Sequence, residues 1–320
     1  MKFKSSMSFI IKLIVGVSIF LFVLYKIGLP NILNTLGDMN LLFLPIIIVV
    51  NILIFLLGSL NYSILIIPFK KKTSVWRMFK DYLVSVAIAS FIPGKIGELS
   101  MVFFLKKEGI DLGKSTSLVI LDKIITISIL TIFGALGYFV FLNLTNAFRM
   151  LIVIITIILI IYFALSKMGL SFIKKFIFRK YSGRFKGFSK TLSYFFRREK
   201  KLIAINVFLT TIKFLFSAIL FYFLFLSFNV EVNIFNIFII NILATIASFI
   251  PITISGLGIR EGASVYFYNL IGIPSQISLS VLLIFLVLKY LQTLLVFALF
   301  LNKKDFEEIR RELKTNDTNT

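Results

Sequence analysis

The sequence predicts an all-α polytopic membrane protein with about six full transmembrane helices and two broken, re-entrant helical hairpins arranged as an inverted-topology repeat. Three observations carry this prediction. First, 59% of the 320 residues are hydrophobic, the mean hydropathy is +1.01, and apolar runs reach the roughly 20 residues that a helix needs to cross a bilayer. Second, the positive charge is gathered into a few connecting segments. Third, one stretch occurs twice: Ile88-Ala89-Ser90-Phe91-Ile92-Pro93 returns letter for letter as Ile246-Ala247-Ser248-Phe249-Ile250-Pro251.

Taken in order, the chain begins with a run from Phe9 to Tyr25 that lacks a small-residue cleavage site and leads into further apolar runs, so it reads as a first span, 9–27, with Lys12 near one end. Further spans are expected at 41–66, 116–142, 150–166, 202–226 and 277–301. With the N-terminus on the cytoplasmic side, the inside segments 1–8, 67–82, 106–114, 167–201 and 302–320 hold 27 of the 35 Lys and Arg residues. The outside segments hold only Lys26 and Arg149. By the positive-inside rule this places both termini in the cytoplasm of a multi-pass protein of the cell membrane. The same distribution answers a nucleic-acid reading of the net charge of +21: the cations line a membrane face, and no soluble basic domain carries interleaved stacking aromatics. The whole chain, 1–320, reads as a single integral membrane domain, because no polar stretch is long enough for a core of its own.

The repeated stretches shape the rest. The first copy continues Gly94-Lys95-Ile96-Gly97-Glu98, and the second runs through Ser255-Gly256-Leu257-Gly258-Ile259-Arg260-Glu261-Gly262. A Gly-Ile pair follows each glutamate at the same distance, Gly109-Ile110 and Gly272-Ile273. Lys70, Lys71, Lys72, Arg77 and Lys80 precede the first copy, and Lys106, Lys107 and Lys114 follow it. Both of its ends therefore belong inside, with Pro93-Gly94 supplying the turn. The second copy follows a span that exits outside, and Asn269 to Ile277 carries no charge, so it enters from the opposite face. The repeat units are 41–142 and 202–301. Between them, 167–201 sets twelve cations against Glu199 and interleaves them with Phe and Ile, which fits either basic amphipathic helices at the cytoplasmic interface or a solvated loop. The tail 302–320 mixes signs and reads as a short charged helix that frays.

An ionised group in the bilayer centre costs several kcal/mol, so each one needs a partner or a task. Within the apolar stretches stand Lys95, Lys123, Lys213, Arg260 and Lys289 against Glu98, Asp122 and Glu261. Lys95 and Glu98 are spaced to pair on a helical turn. Asp122 and Lys123, being adjacent on a helix, are expected to look in different directions. The excess of cations points to an anionic ligand. The glycines allow unwound backbone from which a half-helix presents its N-terminal N–H groups, beside Arg260, to a phosphate. The alternative at this point is that the glycines serve close helix packing and the charges pair among themselves. No histidine or cysteine is present, which excludes disulfides, thiolate or imidazole metal sites and Ser-His or Cys-His nucleophiles. No cofactor and no enzymatic activity are expected.

Ser90-Phe91-Ile92-Pro93-Gly94-Lys95-Ile96-Gly97-Glu98, then Leu121-Asp122-Lys123, then Gly256-Leu257-Gly258-Ile259-Arg260-Glu261-Gly262 together resemble the signatures of the lysylphosphatidylglycerol synthase transmembrane-region family, also called the flippase-like domain family. The resemblance covers nearly the whole chain. It departs at Lys123, where the family more often has arginine, so a point charge replaces a fork-shaped donor. In the full synthases this region is similar to a lipid translocator and precedes a soluble aminoacyl-transfer domain. This sequence shows no such domain, so the resemblance implies translocation rather than aminoacylation. The expectation is movement of an anionic phospholipid or a polyprenyl-phosphate-linked lipid between leaflets. Lys95, Gly94, Gly97, Lys123, Gly256, Gly258, Arg260 and Lys289 are the expected substrate-binding residues. Glu98, Asp122 and Glu261 are expected to position those cations or carry a coupling proton. Two other readings are a non-transporting membrane partner of a lipid-modifying enzyme or glycosyltransferase, and an intramembrane enzyme acting on a lipid-linked phosphate. The second needs a nucleophile or a metal cluster that three scattered acids do not make.

Overall fold

Long apolar runs interrupted by proline and glycine leave the backbone one solution in lipid: helices, with breaks only where other protein covers them. The computed structural model of the chain describes residues 14, 17, 18, 20–70, 73–91, 93–141, 187–250 and 252–300, and among these every regular element is a helix, with no strand. The expected span 150–166, part of the span 9–27 with its Lys12, the rest of the segment 142–186 and the tail 302–320 lie outside the described residues.

Helix α1, Phe20–Ile27, meets α2, Leu29–Gly37, at a bend of 83°. Gly28 makes the bend at φ +92°, a backbone conformation that L side chains avoid. The first unit then runs α3 Leu44–Leu65, α4 Val75–Ala89, a 3-10 segment Pro93–Ser100, α5 Met101–Lys107 and α6 Leu112–Phe141. The amphipathic α7, Phe188–Arg198, follows. The second unit repeats the order: α8 Lys200–Leu226, α9 Ile234–Ser248, a 3-10 turn Ile254–Gly256, α10 Ile259–Leu270 and α11 Ser275–Phe300. Four of these helices, the long first and last members of each unit, are long and apolar enough to cross a membrane. They coincide with the spans expected at 41–66, 116–142, 202–226 and 277–301. The breaks fall where the Pro-Gly and Gly-x-Gly sequences put them.

The units interlock reciprocally. α3 lies along α8; α4 packs on α11 while α6 packs on α9; and the two broken segments touch each other. Small residues permit the closest of these crossings. A Cβ at Gly134 or Gly137 of α6 would collide with Ile246 or Ile239 of α9, and one at Gly58 of α3 with the ring of Tyr82. Polar groups hold α3 to α8: Asn61 donates to Thr210 Oγ1 at 2.9 Å, and Asn206 donates to the Asn61 carbonyl at 3.4 Å. Hydrogen bonds between membrane helices contribute about 0.6 to 2 kcal/mol each. Asn61→Ala, which loses a buried side-chain bond to Thr210, is therefore expected to lower the melting temperature of the detergent-solubilised protein by a few degrees, and Asn51→Ala, whose bond to Gln292 on α11 is only part-buried, by less.

Two apolar clusters form the interior. One centres on α8, α9 and α11, with Phe221, Phe225 and Tyr268 fully buried. The other joins α4, α5, α6 and α7 through Met78, Leu118 and Phe195. Of the two forms open to 167–201, its described part takes the helical one: α7 buries Phe188, Leu192 and Phe195, and carries Arg197 and Arg198 in its last turn. At the start of α4, exposed Trp76 stacks on Phe79 and meets the edge of Phe300. An aromatic cluster of this kind suits a membrane–water boundary.

Candidate functional site

The two breaks are built by the same device. At the end of α4 the chain cannot continue as a helix into Pro93, and it folds back so that Gly97 lies against Ala89. A side chain at Gly97 would stand 2.9 Å from the Ala89 backbone nitrogen. In the second unit Gly256, at φ +77°, lies in the same way against Ser248, whose Cα would be 2.9 Å from an added Cβ. Gly97 and Gly256, expected to bind substrate, thus have a packing role. Ser85 donates to the Glu98 carbonyl at 3.2 Å and ties the first break to α4. Ser255, at φ +52°, shapes the second, and Lys289 of α11 donates to its hydroxyl at 3.1 Å.

The start of α10 differs from the expectation. The Gly258 N–H donates to Glu261 Oε2 at 2.7 Å, so the helix closes its N-terminus with its own buried carboxylate. An internal anion already stands where a phosphate was expected, because a glutamate at the third helical position reaches back to the cap. Glu261 is accordingly a capping residue, and the Gly258 N–H is taken.

Between the breaks and the long helices lies a cavity of ≈ 500 Å³. Glu98 and Leu99 of the first break, Lys123 and Thr126 of α6, Lys213 and Ser217 of α8, Arg260 of α10, Tyr82 of α4 and Phe285 of α11 are among its walls. Among the described residues, three cations thus face a single acid. Lys123 forms an ion pair with Glu98 across the cavity edge. It also reaches Asp122 Oδ2 at 3.3 Å, which corrects the expectation that these neighbours look apart. The lysine chain is long enough to curl back when a second carboxylate holds it. Asp122 is buried behind the wall, and Tyr62 donates its hydroxyl to the same Oδ2 at 3.1 Å.

Arg260 and Lys213 have no ion-pair partner among the described residues. The Arg260 guanidinium lies 4.7 Å from the Phe285 ring centre and 5.9 Å from that of Phe221, and its buried Nε has no hydrogen-bond partner. Lys213 rests 5.9 Å from the Phe214 ring. Stacking on aromatic faces holds an arginine in place without using its donors. Lys289 is turned to Ser255 and is not among the cavity walls. The backbone of Gly94 lies in the 3-10 segment, and the side chain of Lys95 lies outside the described residues. The chemistry on offer is the capture of an anion by unpaired cations in apolar surroundings, where few water molecules compete.

Sequence reasoning counted Lys213 among the costly charges and gave it no place in the site. Its signal was present: a lysine in mid-span with no acid near it in sequence. Tyr62 and Phe285 carried no such signal.

A sequence search of curated proteins finds no match to this chain. The model of the family described as the lysylphosphatidylglycerol synthase TM region matches residues 9–296 and so takes in both units, both breaks and every wall of the cavity. The protein is a multi-pass helical membrane protein, and it belongs to the lysylphosphatidylglycerol synthase TM region family, a membrane domain related to lipid handling.

Proposed function

We propose that the protein moves an anionic, phosphate-bearing lipid between the leaflets of the cell membrane. The observation that carries this reading is the cavity in which Lys123, Lys213 and Arg260 face Glu98 alone, with Arg260 and Lys213 unpaired. Unpaired cations inside an apolar bundle are costly unless an anion visits them. The headgroup phosphate sits between Arg260 and Lys213, and the acyl or prenyl chains stay among the apolar helices. The reciprocal packing of the two units supports an inverted repeat, in which hairpins entering from opposite faces open the cavity to each leaflet in turn.

Reconstitution into liposomes with labelled phosphatidylglycerol, phosphatidylethanolamine and a polyprenyl phosphate tests the reading. Faster movement of a phosphate-bearing anionic lipid is expected, slowed about tenfold by Lys213→Ala if one charge-assisted contact is lost. No movement of any of the three lipids would sink it. Topology has its own test, since the chain has no native cysteine. Lys107→Cys and Ser275→Cys are expected to react with a membrane-impermeant reagent from opposite faces. Labelling of both from one face would end the inverted arrangement.

A further inference from the structure

The group around Lys123 contains an imbalance that anion capture alone does not use. Glu98 and Asp122 both hold the one ammonium of Lys123. Their exposure differs: the Glu98 side chain is 24% exposed at the cavity, and that of Asp122 only 3%. The two Asp122 oxygens also differ. Oδ2 accepts from Tyr62 and meets Lys123, whereas Oδ1 is buried with no hydrogen-bond partner. A buried carboxylate oxygen without a donor leaves a hydrogen-bonding position open.

The groups facing this aspartate are few. Tyr62 comes from α3, Glu98 from the first break and Lys123 from its own helix. Tyr82 of α4 and Lys213 of α8 stand along the adjoining cavity wall. Of the other helices packed on α6, α9 has no titratable side chain, and α5 and α7 bring only basic residues and Tyr194. Among the described residues Lys123 is thus the sole cation bonded to Asp122, and it is also a wall of the cavity.

We propose that Asp122 is a proton-binding site that loads together with the lipid: a phosphate in the cavity draws Lys123 away, and Oδ1 takes up a proton from water reaching the cavity. The inference rests on the translocation reading and gives it an energy source. The ammonium keeps its charge and turns from carboxylate to phosphate. The proton neutralises buried Asp122, Glu98 is left facing the water of the cavity, and the proton departs when the lipid leaves and Lys123 returns. Lipid and proton then travel in the same direction, so a proton gradient drives the anion.

The test is difference infrared spectroscopy at neutral pH on the full chain in phosphatidylcholine nanodiscs, with and without phosphatidylglycerol or a polyprenyl phosphate. The expected result is a protonated-carboxyl band that appears in the wild type when one of the anionic lipids is added, is absent in Asp122→Asn, and persists in Glu261→Gln. A band absent from the wild type with both lipids, or one surviving in Asp122→Asn, overturns the proposal. Labelled-lipid movement by the same wild-type preparation separates the two readings. Movement without the band removes the proton site and leaves translocation standing, whereas no movement of either lipid removes translocation itself.

Discussion

Arg260→Ala is expected to lower lipid movement by roughly 30-fold or more, since removing one partner of a desolvated charge pair costs about 2 to 5 kcal/mol. The protein itself should remain folded. The Arg260 Nε makes no hydrogen bond that folding needs, and the helix that carries it is closed by Glu261 on the Gly258 N–H. What the variant loses is a cation held over Phe285 and Phe221, whose buried Nε has no hydrogen-bond partner. Arg260→Lys keeps the charge and loses both the fork and the flat stacking face. It is expected to fall between wild type and alanine. The measurement is the initial rate of labelled-lipid movement in liposomes, with monodispersity in detergent as the control for folding. Wild-type rates from Arg260→Ala would falsify the assignment of the anion site.

The second large effect is on stability. Gly256→Ala is expected to destabilise the protein by about 2 to 4 kcal/mol, the sum of a left-handed backbone penalty near 1 kcal/mol and the cost of overpacking. The added methyl group meets the backbone of Ser248, which cannot rotate away as a side chain would. Gly272 supplies the comparison. It too has positive φ, at +83°, but an added Cβ there meets nothing within 4 Å. Gly272→Ala is thus expected to cost only the backbone penalty, about 1 kcal/mol. Melting temperatures in detergent distinguish the two, and equal shifts would show that the close approach at the break contributes nothing.

The features legible in the sequence were those governed by short stretches of chain. Apolar runs long enough to cross a bilayer placed α3, α6, α8 and α11, because lipid leaves a backbone without water few ways to satisfy its hydrogen bonds. Pro93-Gly94 and the glycines at 256 and 258 placed the breaks, because proline and left-handed backbone end a helix whatever surrounds it. The duplication of the six residues from Ile88 and from Ile246 announced two units of the same element order. Charges within apolar stretches marked Glu98, Asp122, Lys123, Lys213, Arg260, Glu261 and Lys289 as residues needing an explanation.

Which explanation each received was settled only in three dimensions. Glu98 pairs with Lys123, 25 positions away, because the first break leads into α5, which packs on α6. Glu261 turns inward to cap its own helix, leaving Arg260 without an acid. Lys213, on a span with no carboxylate, joins Arg260 at one cavity because α8 lies where the two units meet. Hydropathy and backbone conformation are local properties, and the sequence determines them stretch by stretch. Charge pairing is a property of distance, which for residues on different helices exists only after the helices have packed.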